Sequence, residues 1–153
     1  MTLYFYTVSG DYGEFSNFSR HGFMLDGYYW KTSEHYFQAM KFEDTPHYHQ
    51  VREARNPKDA AKLGRRRDFP LRKDWEAIKD DVMRRAVQQK FETHADLAQL
   101  LLSTGDQLIV ENAPSDYYWG CGQDGSGKNR LGIILMDVRD TLSKQNRKDN
   151  HDG

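Results

Sequence analysis

The chain has 153 residues, enough for one domain with a substantial core. Its net charge of −1 provides no global field toward nucleic acid or membrane, and no apolar run approaches the ~20 residues that span a bilayer. A single cysteine, Cys121, excludes an internal disulfide; with no signal-like leader ahead of the first strand, the expected setting is the cytoplasm.

Residues 3–8 alternate as a strand, and 9–13 form a turn-rich loop. Residues 14–18, Glu-Phe-Ser-Asn-Phe, make a short loop rich in aromatics. Residues 23–30 read as two strands around Asp26-Gly27, a hairpin signal. The segment 30–42, WKTSEHYFQAMKF, then reads as a helix capped by Thr32 or Ser33. Tyr36, Phe37, Ala39, Met40 and Phe42 cover most of its circumference, leaving one narrow polar stripe of Glu34, Gln38 and Lys41 at i, i+4 and i+7. Such a stripe is either a solvated strip with weak pairing or the wall of an internal cleft, and the aromatic crowding favours the cleft.

Residues 46–56 are expected to be helical and polar, ending at Asn56 because a proline follows. Asn56 and Pro57 start the next helix, and Gly64 closes it. Lys62, Arg65, Arg66, Arg67, Arg72 and Lys73 form a basic group that either contacts phosphates or is a solvated face. Asp74 is expected to cap a long helix at 75–92, with a second helix at 94–102 stopped by Gly105. Residues 108–110 read as a buried strand that delivers Glu111 and Asn112. Residues 113–130 are a glycine-rich loop, 131–142 the last helix, and 144–153 a frayed polar tail after a domain of residues 1–143.

The loop 122–129 nearly spells a P-loop, but Asn129 stands where the magnesium-binding hydroxyl belongs. Its glycines before a helix N-terminus still suggest an anion site, against the alternative of a plain flexible loop. The histidines show no metal-ligand spacing, so no metal and no other cofactor is expected. Glu34, Glu111 and Asp116 are the acidic candidates. Glycosidic cleavage needs carboxylates for an oxocarbenium-like transition state and for the leaving group. A desolvated lysine near a carboxylate can form a Schiff base with an opened sugar. Glu34 and Lys41, ~10 Å apart along the helix axis, therefore form a plausible pair for N-ribosyl cleavage.

These residues carry a resemblance to the NADAR (YbiA-like) family. The shared motifs are EFSNF at 14–18, W-x-TSEHYFQAMKF at 30–42, A-x-x-x-GR at 60–65, W-E-x-x-K-x-x-VM-R-x-A at 75–86, KF at 90–91 and YWG-x-G-x-x-G-x-G-K-NRLG-x-x-LM at 118–136. A bacterial member linked to riboflavin biosynthesis has Asp-Gly-Gly where this chain has Cys121-Gly122-Gln123, which removes a carboxylate from the loop. The resemblance implies a compact, predominantly helical α+β domain with a small antiparallel sheet. It implies hydrolysis of a C–N bond between ribose and a base or amine. The small-molecule class is the phosphoribosylamino-pyrimidines of riboflavin synthesis; the other is ADP-ribose on guanine bases of nucleic acid. It places Glu34, Lys41 and Asp116 in catalysis. Around the ligand it places Asn17, Phe18, Trp30, Gln38, Glu111, Trp119, Gly120, Gly122 and Asn129. In that scheme Trp30, Trp119 and Phe18 stack on the base, Asp116 or Glu111 holds ribose hydroxyls, and Asn129 with the glycine loop takes phosphate. Rival readings are a non-catalytic ADP-ribose reader built from the same elements, and an RNA-binding domain using the arginines.

Overall fold

The computed structural model describes the backbone of residues 1–152 and the side chains of residues 1–148. The chain is mostly helical with two small sheets and falls into two compact units, Met1–Ser16 with the chain from His94 onward, and Asn17–Thr93.

In the first unit, β1 (Thr2–Phe5) pairs in parallel with β4 (Leu108–Glu111), from Thr2 opposite Leu108 to Phe5 opposite Glu111. Leu3 and Phe5 are buried while Thr2 and Tyr4 are exposed, the period-2 pattern of a strand with one covered face. A 3-10 turn at Gly13–Phe15 brings the Phe15 ring edge-on to Phe5, with centroids 5.9 Å apart. Helix α5 (Ala95–Ser103) precedes β4, and α6 (Arg130–Asp152) follows the glycine-rich loop. Leu131, Ile134, Leu135, Val138 and Leu142 form the buried stripe of α6. The helix continues ten residues past its expected end at 142, through 143–152, where a polar, frayed tail was expected; Gly153 lies outside the described residues. Its apolar stripe marks where packing stops, whereas i,i+4 pairs such as Lys144–Asp140 at 3.0 Å extend the helix beyond it.

In the second unit, β2 (Phe23–Leu25) and β3 (Tyr28–Trp30) form the expected antiparallel hairpin. Asp26 and Gly27 both have positive φ, 55° and 83°, as a type I′ turn requires. Helices α1 (Ser33–Met40), α2 (Pro46–Arg52), α3 (Pro57–Gly64) and α4 (Trp75–Thr93) follow. Thr32 Oγ1 caps α1 by accepting from His35 N, and Asn56 Oδ1 caps α3 by accepting from Asp59 N at 2.8 Å. The expected helix 46–56 stops at Arg52, because Asn56 must be extended to serve as cap ahead of Pro57. The Asp74 carboxylate binds Arg72 Nε at 2.7 Å, and it is the Asp74 backbone carbonyl that accepts from Ala77 and Ile78 at the start of α4. All eight residues of α1 are buried, so this helix is the core of its unit.

Candidate active site

The polar stripe of α1 is enclosed: Glu34, Gln38 and Lys41 are only 9%, 7% and 8% exposed. That excludes a solvated strip, which would leave these long side chains in water. Gln38 Nε2 donates to Glu34 Oε1 at 2.9 Å and holds the carboxylate in one orientation. Gln38 Oε1 is buried without a hydrogen-bond partner, beside Gly64, where a Cβ would lie 1.9 Å from it. Only glycine fits there, and the orphan acceptor would be satisfied by a hydroxyl or a water.

Lys41 is the C-cap of α1. Its Nζ donates to Gly64 O at 3.3 Å and lies 5.7 Å and 5.8 Å from the ring centroids of Phe37 and Trp75. Arg67 Nη1 donates to the same carbonyl at 3.1 Å. Burial, then the Arg67 charge, lower the Lys41 pKa to about 8; Glu34 opposes this, and Arg65 and Lys79 add to it. A lysine of pKa about 8 is roughly one-tenth neutral at pH 7, against about 0.04% at an ordinary value of about 10.4. Arg67, Trp75 and Gly64 are site residues that sequence reasoning missed. The A-x-x-x-GR motif marked Gly64 and Arg65, but no spacing showed that Gly64 O collects two cations.

Of three residues expected around the ligand in this unit, two do other work and one stays accessible. Trp30 is 0% exposed, edge-on to Tyr36 and Tyr48, with Nε1 donating to Leu25 O at 2.9 Å. It is a core residue and presents no face to a base. Asn17 accepts from Ser33 Oγ at 2.8 Å through Oδ1, and its Nδ2 approaches Met83 Sδ at 3.4 Å. Its backbone carbonyl accepts from Glu34 N at 3.1 Å, so Asn17 positions the start of α1. Phe18, 37% exposed, stays accessible.

The remaining candidates belong to the other unit. The Asn129 amide bridges β4, with Nδ2 donating to Ile109 O and Oδ1 accepting from Glu111 N, each at 2.9 Å. Its side chain is therefore engaged by the fold and is not placed to take a phosphate. Asp116 Oδ1 accepts from Tyr118 N and Trp119 N at 3.0 Å and 2.8 Å, an Asx turn that shapes the loop. The amides expected to cradle an anion are also occupied. Lys128, Asn129, Arg130 and Leu131 donate to the carbonyls of Tyr117, Gly120, Tyr118 and Trp119. The loop thus folds back on itself and closes the anion site predicted at the start of α6. Gly120 permits that close approach, since a Cβ would sit 2.9 Å from Ala113 Cβ and 3.0 Å from Glu111 O. Gly122, at φ 73°, lies against the Tyr117 ring. Glu111 Oε2 is buried, and Trp119 is partly exposed beside Tyr118. Among the described residues, no group of three His, Cys, Asp or Glu side chains could hold a metal ion, and no helix is long and apolar enough to cross a membrane.

A family model described as the NADAR domain matches residues 4–143. N-glycosidase YbiA of Escherichia coli (strain K12) is 50% identical over 139 residues, covering 91% of this chain and 87% of that protein. A Zea mays protein named "Riboflavin biosynthesis protein PYRR, chloroplastic" is 41% identical over 153 positions, covering 90% of this chain and 25% of that protein. The NMR structure of the E. coli protein YbiA superimposes with a TM-score of 0.88 at 48% identity, covering 95% of this chain and 86% of that one.

Proposed function

The chain belongs to the NADAR family, and we propose that its N-glycosidase action cleaves the C–N bond between phosphoribose and an amino-pyrimidine of the riboflavin route. The observation that carries the chemistry is the buried Glu34–Gln38–Lys41 face with its depressed lysine. Support for the pyrimidine comes from the riboflavin relative; support for a phosphorylated sugar comes from Arg65 and Arg67, whose charges act on Lys41.

In the proposed mechanism the ribose ring opens: the exocyclic nitrogen lone pair forms an iminium with the anomeric carbon, and the ring oxygen takes the Glu34 proton, which the carboxylate regains from Nζ once Lys41 has added. Neutral Lys41 adds through Nζ to that carbon. The amino-pyrimidine leaves with a proton delivered by Glu34, and the sugar remains as an imine on Lys41. Glu34 then takes a proton from water, which adds to the imine, and ring closure returns Lys41 and free ribose phosphate. The net change is one water consumed, with one amine and one sugar hydroxyl formed. Gln38 orients Glu34 and offers Oε1 to a sugar hydroxyl. Phe37 and Trp75 keep water from Nζ.

Two parallel incubations test the substrate, one with a phosphoribosylamino-pyrimidine and one with ADP-ribosylated guanine DNA, each followed by mass spectrometry of the released sugar phosphate. Release from the pyrimidine is the expected result. Release from the DNA alone would transfer the activity to removal of ADP-ribose from guanine. Binding without release from either would leave a nucleotide reader. Borohydride during turnover should trap a sugar on Lys41; full turnover by Lys41→Arg with no adduct would remove the Schiff base.

A further inference from the structure

Away from the Lys41 face, the Asn17–Thr93 unit holds a cavity of about 170 Å³ where the first turns of α1 and α3 begin. Arg20, Lys31 and Arg55 line it together with Thr32 and Asn56, and no Asp or Glu is among the lining residues. The positive charge there is poorly compensated. Lys31 Nζ donates only to neutral carbonyls, Ala54 O at 2.9 Å and Glu53 O at 3.4 Å. Arg55 reaches Asp59 at 4.0 Å, the edge of an ion pair. Among the described residues Arg20 has no acidic partner.

Arg20, Lys31 and Arg55 are exposed, so solvent screens their mutual repulsion in part, while an anion seated in the concavity would meet all three. In a chain of net charge −1 that concentration is local, so general basicity does not explain it. The positive ends of two eight-residue helices, capped by Thr32 and Asn56, add to the same potential. Thr32 Oγ1 and the Asn56 amide bring further polar atoms to the wall, and the exposed Tyr29 ring lines one side, where it can cover a ring attached to the anion. The volume is several times that of one water, enough for a phosphate group and the first atoms beyond it.

We propose that this cavity is a second binding site, one for a phosphomonoester, distinct from the Glu34–Gln38–Lys41 face. Arg20 and Arg55 supply the charge-assisted hydrogen bonds, Lys31 a fixed positive charge, and Tyr29 the stacking surface for a nucleoside carried by the phosphate. His35, which lines the same cavity, reports occupancy because Lys31 acts on it electrostatically.

The test is an NMR titration of the full chain with inorganic phosphate and, separately, AMP, in a fixed concentration of chloride. Saturable shifts at the amides of residues 31–35 and 55–57 and at the His35 ring are expected. Tighter binding of AMP would identify a nucleotide as the source of the phosphate, and equal binding would identify free phosphate. Arg20→Ala/Arg55→Ala should weaken either ligand roughly 100-fold, about tenfold per charge-assisted contact, with circular dichroism and N-glycosidase turnover unchanged. Lys31→Gln serves as a second variant with the same expected direction. The shifts should persist in Lys41→Arg, so a failure here is read separately from a failure of the lysine mechanism. Non-saturable shifts, or a double variant that binds as tightly as the parent, would overturn the assignment.

Discussion

Arg67→Ala separates the electrostatic account of Lys41 from a purely steric one. Lys41 Nζ and Arg67 Nη1 donate to the same oxygen at 3.3 Å and 3.1 Å, so they lie no farther apart than about 6.4 Å, the two bonds end to end. At that separation two unit charges repel by about 2.6 kcal/mol at an effective dielectric of 20, and about 0.6 kcal/mol at 80. Arg67 is exposed, so solvent places the value inside that range. Removing it should raise the Lys41 pKa from about 8 by between roughly half a pH unit and two pH units. In the proposed mechanism the neutral amine is the nucleophile, so kcat/KM should rise with pH through this pKa. The assay is a pH–rate profile from pH 6 to 10 on a phosphoribosylamino-pyrimidine. The ascending limb should lie near 8 in the parent and move to higher pH in Arg67→Ala, with loss of rate at pH 7 and recovery at high pH. A limb that stays in place while the rate falls equally at every pH would refute the reasoning and leave Arg67 as a binding residue only.

Lys41→Met should stabilise the fold while abolishing activity. The folded-state pKa of Lys41 lies below the unfolded value, so at pH 7 the native state carries a disfavoured charge; the gain should be ~2–3 kcal/mol by urea unfolding and should vanish above pH ~10.5, where both states are neutral. His35 is held between Thr32 Oγ1 at 2.7 Å and Ala54 O at 2.9 Å, and burial lowers its pKa. Its stabilising contribution is complete above the unfolded value of ~6.5 and declines as pH falls below it, so the thermal midpoint should drop from pH 7 to 5, less steeply in His35→Asn. Trp30→Ala should lower stability by ~3–5 kcal/mol, measured by denaturant unfolding, and Trp30→Phe should keep its KM; a raised KM in a stable Trp30→Phe protein would restore the base-stacking role. Asn129→Ala leaves Glu111 N and Ile109 O without their side-chain partner and should cost ~1–3 kcal/mol per lost bond with no change in phosphate dependence of KM.

The parts of this molecule that were legible in the sequence are those set by local spacing. Glu34, Gln38 and Lys41 share a helix face because 3.6 residues make a turn, and the aromatic residues around them left nowhere else for that face but the interior. Asp26-Gly27 specified its own turn. What was not legible depends on partners distant in sequence. The β1–β4 pairing joins strands about a hundred residues apart, and no alternation pattern encodes its parallel sense. The length of α6 was misread because the apolar stripe ends at Leu142 while the backbone pattern does not. The assigned roles went astray for a related reason. A tryptophan beside a motif, an asparagine at a helix start and a run of glycine amides are all able to bind a ligand, and a sequence shows that ability. Whether the ability remains available depends on the fold: Trp30 is enclosed, Asn129 holds β4, and the amides of 128–131 hold the carbonyls of 117–120. Lys41 shows the reverse, since its amine is buried and shares the Gly64 carbonyl with a neighbouring cation. A polar group left poorly satisfied in a buried setting is therefore a better guide to where chemistry is to be sought than the residue types alone, and it is on that measure that Lys41 and Gln38 Oε1 carry the proposed mechanism.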